Sequence, residues 1–363
     1  MSVYLDEVKK CIDCGKCGEI CPICHVSDKE IYTPDNKIKQ LEKIELEQDL
    51  EPDEFDTVYL CSRCGACNDI CPEDIDISGI IQYERHLLAK QGREPEKTKH
   101  ISNNIITKYN PKGMDVPRMA ELWVTEDLEF SDDSKTAYVA GCWVALKNVE
   151  IAQDSVRILN ACGIKPKLLE KERCCGLFVI DNGHFDDIKK YAKEYTDYIE
   201  SQGVDTVLVS CPACYNVIKN MYPEFYRKPK YEVVSTLDMF KKLYDEGKIK
   251  FKKTSGNVSI RDACPLKDSF SIPREMLNDI GYDIKEIFDG EVFCCGAPAG
   301  VKPNYPEISN AIGKITLDKS KGSDRIVSYC SFCKHHLDSI KNPEEKDIPI
   351  VDLSNVIWEN MEK

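Results

Sequence analysis

The sequence has fewer basic than acidic residues and no long apolar run. These absences argue against proteins that bind nucleic acid or anionic lipid and against proteins that span a membrane. Lysine and arginine number 49 against 63 aspartate and glutamate residues, which gives a formal net charge of -14. Nucleic acid and anionic lipid would repel such a chain, so we expect neither as a main partner. No 18 apolar residues are consecutive, and residues 1–7 lack the basic and apolar regions of a signal peptide. These absences predict a cytoplasmic protein, and they are compatible with peripheral attachment to a membrane through a partner subunit.

A dinucleotide-binding fingerprint is also absent, since no G-x-G-x-x-G motif opens a predicted helix. We therefore expect no flavin or nicotinamide on this chain, and electrons for a redox reaction must come from a partner. Cysteine, in contrast, is abundant, with 20 residues. In a reducing cytoplasm these thiols cannot form a disulfide framework, and their grouping in C-x-x-C pairs indicates metal or iron–sulfur ligation.

The first half of the chain carries one cysteine pattern twice, C-x-x-C-x-x-C-x-x-x-C-P. This is the run found in bacterial two-cluster ferredoxins, in which the fourth cysteine binds the other cluster. The crossed rule predicts two cubane 4Fe-4S clusters: Cys11, Cys14, Cys17 and Cys71 hold cluster 1, and Cys61, Cys64, Cys67 and Cys21 hold cluster 2. Zinc is the alternative, but zinc motifs pair two C-x-x-C knuckles and rarely use three cysteines plus one.

The second half also repeats a cysteine pattern, with matching positions 119 to 122 residues apart. Each copy has a single cysteine, then a Cys-Cys-Gly triplet (CCG), then a C-x-x-C pair. The first five are Cys142, Cys174, Cys175, Cys211 and Cys214, and the second five are Cys264, Cys294, Cys295, Cys330 and Cys333. Five thiols are one more than a cubane or a zinc ion needs. The spacing indicates an internal duplication that holds an unusual metal group.

Strand and helix patterns alternate throughout this second half. Buried strands are predicted at 137–140, 206–209, 258–260 and 326–329, with closing strands at 232–234 and 349–351. Helices are predicted at 149–161, 186–201, 306–321 and 353–361, besides one at 77–91 in the first half. Each of the four buried strands ends just before a motif cysteine. The cysteines should therefore lie at the carboxyl edge of parallel sheets, where open α/β folds bind ligands.

The paired CCG sets behind a two-cluster ferredoxin resemble the heterodisulfide reductase family, in particular its D subunit or its fused C and B subunits. The resemblance covers nearly the whole chain in domain order. It implies that each CCG set binds a noncubane 4Fe-4S cluster, and that the ten CCG cysteines are catalytic while the eight ferredoxin cysteines relay electrons. The implied substrate is a small anionic disulfide, the coenzyme M–coenzyme B heterodisulfide of methanogenesis.

The resemblance also implies a donor of electrons, either a membrane b-type cytochrome or a flavin-containing subunit with a hydrogenase or formate dehydrogenase. Similar CCG pairs occur in the electron-transfer subunits of glycerol-3-phosphate, glycolate and lactate dehydrogenases, which pass electrons to a quinone or cytochrome. That family is the alternative function. Its members often lack part of one CCG set, whereas both sets are complete in this chain.

Substrate residues are less clearly marked than cluster ligands. An anionic substrate needs local basic groups, and the candidates near motif cysteines are Lys147, Arg173, Arg261, Lys267, Lys302 and Lys334. A histidine could donate a proton to a leaving thiolate, and the candidates are His184, His335 and His336. Tyr215 and Tyr329 are expected in the core. For each of these residues a structural role is the alternative, and for the histidines and tyrosines the sequence favours it.

Three positions depart from a simple pattern. Cys24 and Cys162 are left over from the cluster sets, and we expect both to be buried, inert thiols. Many members of the family have a Cys-His pair at the start of the second CCG set, but here Pro265 follows Cys264. The substitution leaves the ligand in place and bears on the substrate rather than on the cluster.

The predicted architecture is an α+β multidomain protein. A mostly helical two-cluster ferredoxin domain occupies residues 1–105, and a linker occupies residues 106–135. Two duplicated α/β CCG lobes, related by a pseudo-twofold axis, follow at 136–255 and 256–363.

Overall fold

A computed structural model describes residues 3–115, 119–342 and 348–362 of the chain, so three residues of the predicted linker lie outside it. Its α-helices are α1 Val3–Val8, α2 Lys16–Ile20, α3 Pro34–Ile38, α4 Leu41–Glu45, α5 Pro52–Tyr59, α6 Ala66–Ile70, α7 Ile77–Lys90, α8 Glu96–Lys108, α9 Cys142–Lys147, α10 Val149–Ala161, α11 Leu177–Asp181, α12 Phe185–Ser201, α13 Pro212–Asn216, α14 Tyr222–Phe225, α15 Thr236–Asp245, α16 Ser271–Ile280, α17 Val301–Asn304, α18 Pro306–Lys319, α19 Ser331–Ile340 and α20 Leu353–Asn360. Its strands are β1 Thr136–Val139, β2 Lys167–Leu168, β3 Thr206–Val209, β4 Glu232–Ser235, β5 Gly256–Arg261, β6 Tyr282–Glu286, β7 Arg325–Ser328 and β8 Ile350–Asp352. The predicted α+β fold is confirmed.

The N-terminal part of the chain is helical, as predicted. Helices α2 and α6 follow the two cysteine loops, pack on each other and each begin after a glycine with positive φ. Helix α7 is the long element of this part, and its buried positions include Ile77, Ile80, Ile81 and Leu88. These apolar side chains supply the core that the short helices around the cysteines cannot form alone.

The second half contains two four-stranded parallel sheets with the same topology. The first has the order β2-β1-β3-β4 and the second the order β6-β5-β7-β8. Every pairing is parallel, with Val139 opposite Val209 in the first sheet and Arg261 opposite Ser328 in the second. The duplication indicated by the cysteine spacing is therefore a duplication of the whole lobe.

The edge strands β2 and β6 carry no buried-strand signal in the sequence. Strand β2 has only two residues, both half-buried, and β6 reads Tyr-Asp-Ile-Lys-Glu with two exposed charged residues. An edge strand is covered on fewer sides than a central strand, so it does not need a continuous apolar run. The pairing with β1 or β5 decides its conformation instead.

The segment between the halves is a structured connection rather than an extended linker. Helix α8 crosses the predicted boundary at residue 105, and Lys97 donates to the carbonyl of Pro303 in the second lobe at 2.8 Å. Trp123 is fully buried and meets the ring of Tyr138 in the first lobe edge-on. The connection thus packs against both lobes. Within the described ranges no helix is long and apolar enough to cross a bilayer.

Helix α7 joins the ferredoxin part to both lobes. The fully buried Arg85 donates hydrogen bonds to five backbone carbonyls, those of Val58, Tyr59, Cys61, Asp181 and Ala299. Asp181 belongs to the first lobe and Ala299 to the second. A charged donor that reaches three parts of the chain fixes their mutual positions, because each buried carbonyl would otherwise lose its partner.

Gly183 allows this close contact, and its replacement tests the joint. A Cβ at Gly183 would lie 2.3 Å from the backbone nitrogen of His86 in α7. Gly163 has the same φ of +79°, but nothing lies within 4 Å of its Cβ position. We expect Gly163→Ala to cost about 1 kcal/mol of unfolding free energy through backbone strain. Gly183→Ala should cost roughly 2 kcal/mol more because backbone must move, as measured by urea unfolding of both variants. Equal losses would show that α7 does not depend on this contact.

Candidate iron–sulfur sites

The crossed cysteine set of the ferredoxin part surrounds one cavity. Cys21 from the first run and Cys61, Cys64 and Cys67 from the second run all line it. The chain turns back on itself here because α2 packs against α6, which brings the end of the first run to the start of the second. Four thiols around one enclosed space are the donor set that a cubane needs, so these residues fit the group that the sequence predicts.

The other ferredoxin set lies nearer the surface. Cys17 is buried and Cys11 and Cys71 are half-buried against the same small core, which includes Leu5 and Ile38. Cys14, in contrast, is exposed. Burial raises the pKa of the Cys17 thiol to about 11, and the carboxylate of Asp35 adds to that effect. This set therefore faces solvent on one side, unlike the set around the cavity.

Cys24 is not the isolated buried thiol that we expected. It is half-buried, and its thiol contacts Cys21. As a hydrogen-bond donor it lowers the pKa of the Cys21 thiol, which favours the thiolate that binds metal. The spacing Cys21-Pro22-Ile23-Cys24 could have predicted this contact. A turn after Cys21, in which the Cys24 amide donates to the Cys21 carbonyl, brings the two thiols together. Cys162 lies elsewhere, half-buried at the end of α10 near the carbonyl of Lys248.

The first CCG set is gathered in one buried group. The sulfurs of Cys142 and Cys174 are 3.5 Å apart, and the chain of contacts continues through Cys175 and Cys214 to Cys211. Strands β1 and β3 deliver Cys142 and Cys211 at the point where the strand order reverses direction, the usual ligand position in such sheets. The backbone of the triplet is held by phenols, since Tyr191 and Tyr222 donate to the carbonyls of Cys174 and Cys175 at 2.6 and 2.7 Å.

The second CCG set repeats this arrangement. Cys294, Cys295, Cys333 and Cys330 contact one another in sequence and are buried, while the half-buried Cys264 lies beside Cys295 and Cys330. Burial raises the pKa of the Cys264 thiol. The fully buried Arg261 lies close enough to stabilise these thiolates, and its Nε has no protein partner. A buried guanidinium donor left free beside four of these thiols suits an anionic group in this space.

The glycine of each CCG triplet has a shared steric role. Gly176 has φ +80°, and a Cβ there would lie 2.8 Å from Cδ1 of Ile188 in α12. Gly296 has φ +85°, and a Cβ there would lie 2.7 Å from Cβ of Ile312 in α18. A left-handed turn after the second cysteine thus lets the following helix pack directly on the triplet. The triplet needs glycine for the fold of the loop and not for ligation.

The two CCG sets lie next to each other across the interface between the lobes. Asn148, at the end of α9 in the first lobe, donates to the carbonyl of Ser331, the residue after Cys330, at 2.9 Å. Trp143, which follows Cys142, packs on Phe332 of the other lobe with ring centroids 5.0 Å apart. The thiols of both sets therefore border one region.

Cys64 connects the ferredoxin part to this region. Its negative charge is among the causes that raise the pKa values of Cys264 and Cys294, after burial and other effects. It also packs against the core that holds the CCG cysteines. The cavity lined by Cys21, Cys61, Cys64 and Cys67 is thus adjacent to the second CCG set.

Three lysines converge beside the two CCG sets. Lys112, Lys147 and Lys302 all help to lower the pKa of His335 to about 4, after the larger effect of burial. The rings of His335 and Trp143 stack with their centroids 4.8 Å apart, and Nζ of Lys112 lies 5.6 Å from the centre of the Trp143 ring. None of the three lysines has an ion pair among the described residues. This lysine cluster is a positive patch on an acidic protein.

Lys302 is held in place by the second histidine. It donates to Nδ1 of the buried His336 at 2.8 Å, and Nε2 of that ring lies 3.1 Å from the carbonyl of Ser309. This pattern requires the Nε2–H tautomer, since the carbonyl can only accept. His336 is therefore neutral and orients a lysine.

Sequence reasoning named Lys147 and Lys302 but missed Lys112, which lies far from any motif cysteine in the chain.

The remaining candidates serve structural contacts. Arg173 lies 4.2 to 4.9 Å from the rings of Tyr109, Tyr191 and Tyr195, and Arg261 donates to the carbonyls of Asp262 and Phe293. Lys267 pairs with Asp69 at 2.9 Å, and Lys334 pairs with Glu150 and Asp338. His184 pairs with Glu94 at 2.8 Å, Tyr329 donates to Asp262, and Tyr215 accepts from Lys219. The contacts of these side chains do not direct any of them toward both CCG sets.

No three Cys, His, Asp or Glu side chains within the described ranges converge on a position for a single metal ion. In a cubane cluster each thiolate binds a different iron, and in any multi-iron cluster the ligands surround a volume rather than a point. The cysteine groups here have that wider arrangement.

Comparisons with known proteins agree with the two cysteine patterns. The family model for a 4Fe-4S dicluster domain matches residues 7–75, and the model for a cysteine-rich domain, named for its CCG motif, matches residues 136–219 and 263–338. The chain is 30% identical to the D subunit of dihydromethanophenazine:CoB--CoM heterodisulfide reductase from Methanosarcina acetivorans, over 97% of this chain and 93% of that protein.

Two further likenesses are partial. The chain is 29% identical to the C subunit of anaerobic glycerol-3-phosphate dehydrogenase from Escherichia coli, over 56% of this chain and 54% of that protein. A hypothetical protein from Helicobacter pylori has a similar fold with a TM-score of 0.59 and 10% identity, covering 100% of this chain and 73% of that chain. The predicted iron–sulfur chemistry is confirmed: the molecule has the domains of an iron–sulfur electron-transfer oxidoreductase.

The choice of Cys21 rather than Cys24 as a cluster ligand has a direct test in these neighbouring cysteines. Cys21→Ala removes a thiol that lines the cavity, and we expect it to lose roughly four irons per chain together with one cubane signal. Cys24→Ala removes the neighbouring thiol and should keep the full iron content. Iron analysis and low-temperature EPR of the reduced proteins measure both effects. Equal iron loss in the two variants would contradict the assignment of Cys21, and not Cys24, as the ligand.

Proposed function

Because this chain belongs to the family of the heterodisulfide reductase D subunit, we propose that it is the subunit in which a disulfide is reductively cleaved, with the coenzyme M–coenzyme B heterodisulfide as substrate. The eight ferredoxin cysteines hold two cubane 4Fe-4S clusters, in the crossed sets around Cys21 and Cys71. The ten CCG cysteines hold two noncubane 4Fe-4S clusters. The observation that carries the proposal is the meeting of the two CCG loops across the lobe interface, where Asn148 donates to the carbonyl of Ser331 at 2.9 Å and Trp143 packs on Phe332.

Disulfide cleavage explains why two such sets are needed. Breaking one S–S bond takes two electrons and two protons and releases two thiols, whereas ferredoxin clusters deliver electrons one at a time. When bound, the two iron–sulfur groups supply one electron each and an iron for each sulfur of the substrate. Thiolate sulfur is a soft ligand that iron–sulfur sites bind well. Two thiol sets that border one region can therefore act on the two ends of the same bond.

The lysine cluster supplies the charge that the substrate requires. The proposed disulfide carries anionic groups at its ends, and Lys112, Lys147 and Lys302 lie beside the CCG sets without acidic partners among the described residues. Trp143 and Phe332 add an apolar surface at the same place, which suits the aliphatic part of a substrate. The Lys302–His336–Ser309 chain keeps one of these positive charges oriented. Binding and orientation are thus provided by residues of both lobes and of the connection.

Electrons must come from a partner subunit, because no dinucleotide fingerprint is present in the sequence. The solvent-facing ferredoxin set, with the exposed Cys14, is the side that a donor can approach. A membrane cytochrome or a flavin-containing subunit would fill this role, and the first of these would attach the chain to the membrane peripherally. The glycerol-3-phosphate dehydrogenase relative is similar over only 56% of this chain, so that function is the weaker candidate.

The cofactor content and the reaction can be tested on the protein purified without oxygen. We expect roughly 16 irons per chain if all four clusters are present. Reduced protein should convert the coenzyme M–coenzyme B disulfide to two free thiols, counted with a thiol reagent. Cys295→Ala should lose one noncubane cluster and this activity while it keeps both cubane signals. Full iron content without thiol formation, together with fast reoxidation by a quinone, would instead support the dehydrogenase-subunit function.

The lysine cluster predicts a binding defect rather than a chemical one. Lys112→Met and Lys147→Met should each raise KM for the anionic disulfide roughly fivefold at low salt, with little change in kcat, because each removes one attractive charge. High salt should reduce the difference from the unmodified protein. Lys267→Met is the matched control, since Lys267 is exposed and paired with Asp69. A KM unchanged in the first two variants, or raised equally in the control, would contradict the assignment of this patch.

A further inference from the structure

A lysine is buried in the cavity that holds the inner ferredoxin set. Lys37, from α3, lines this cavity together with Cys21, Cys61, Cys64 and Cys67 and is 1% exposed. Its Nζ has one weak hydrogen bond, to the carbonyl of Thr57 at 3.4 Å. Burial lowers the pKa of Lys37, and the negative charges of Cys21 and Cys61 oppose that effect. A lysine without an acidic partner in a buried space is costly unless a negative group lies beside it.

A second buried cation lies on the same side. Arg85 donates to the carbonyl of Cys61 at 2.8 Å, and the charge of Cys61 acts on its guanidinium. The nearby carboxyl of Glu84 does not cancel these charges by pairing, since both its oxygens are buried without a hydrogen-bond partner. Burial raises the pKa of Glu84 well above its usual range, which opposes ionisation of this carboxyl. The inner set therefore has a net positive surrounding of low polarity.

The outer ferredoxin set has the opposite surrounding. Asp13 lies 3.9 Å from the sulfur of Cys11, and Asp35 lies 3.8 Å from the sulfur of Cys17. One lysine, Lys39, pairs with both carboxylates, at 2.7 and 3.7 Å. Two carboxylates against one lysine leave a negative surrounding. Lys39 and Asp13 are also exposed, so that water screens them.

We propose that Lys37, assisted by Arg85, makes the inner ferredoxin site the more easily reduced of the two, so that the chain itself directs electrons from the outer site inward to the second CCG set. This inference rests on the proposed function for the presence of the two clusters. Reduction adds one negative charge to a group that is already anionic. A buried cation stabilises the reduced form, and a carboxylate destabilises it, with the larger effect where water is excluded. Since Cys64 lies beside Cys264, the more easily reduced site is the one next to the substrate region.

The test is a redox titration of the protein followed by EPR. Cys21→Ala and Cys11→Ala first assign the two cubane signals, because each variant loses one of them. In the unmodified chain, the inner signal should have the higher midpoint potential. Lys37→Met, which keeps the length of the side chain, should lower the inner potential by about 59 mV or more, a tenfold change in a one-electron equilibrium. The outer potential should stay unchanged.

Two matched variants separate charge from shape. Lys37→Arg keeps the positive charge and should keep most of the inner potential. Lys39→Met removes one lysine from the outer set, so only the outer potential should fall. If the Lys37→Met variant does not assemble the inner cluster, the order of the two midpoint potentials in the unmodified chain tests whether the inner site is the more easily reduced. An outer site with the higher potential, or an inner potential that Lys37→Met leaves unchanged, would overturn the inference. A chain without two cubane signals would instead contradict the proposed function.

Discussion

The burial of Arg85 is the constraint on which the arrangement of the chain depends. A guanidinium cannot lose its proton, so it must find acceptors wherever it is buried. Here the acceptors are five carbonyls from the ferredoxin part, the first lobe and the second lobe. Nearby, Arg63 pairs with Asp181 at 2.9 Å, which adds a buried ion pair to the same joint. The three parts are thus held together by charged hydrogen bonds in addition to buried apolar contacts.

This joint places the cysteine sets next to one another. The carbonyl that Arg85 holds at Cys61 belongs to the loop of the inner ferredoxin set, and the same loop presents Cys64 to Cys264. The second CCG set then borders the first where Trp143 packs on Phe332. The order outer set, inner set, second CCG set, first CCG set is a continuous series of thiols. Arg85 therefore contributes both to the assembly of the domains and to the placement of their cysteine sets.

The lobes are duplicated in fold but not in surroundings. Both have the same strand order and the same glycine packing after the cysteine pair. The first set is held by the phenols of Tyr191 and Tyr222, whereas the second has the buried Arg261 among its thiols. The second set is also the one beside Cys64. Duplication supplied two similar binding loops, and different neighbouring residues make the two sites unequal.

The sequence alone determined the cofactor class and the domain order, because the spacing of cysteine ligands is a local pattern. It also determined the strands that precede motif cysteines, because buried-strand patterns are local as well. It predicted the strands that precede Cys142, Cys211, Cys264 and Cys330, and the principal helices of both lobes. It did not predict the edge strands β2 and β6, whose conformation comes from pairing with a neighbour.

Only the tertiary structure decided which groups meet across the chain. Lys37 and Lys112 carry no motif, and their importance comes from where α3 and the connection after α8 pack. Arg173, near a CCG triplet in sequence, is instead enclosed by tyrosines. Cys24 resembles a spare thiol in the sequence, but a turn places it on Cys21. Sequence spacing fixes which thiols can share a cluster, whereas the charge around that cluster depends on long-range packing, which no local pattern records.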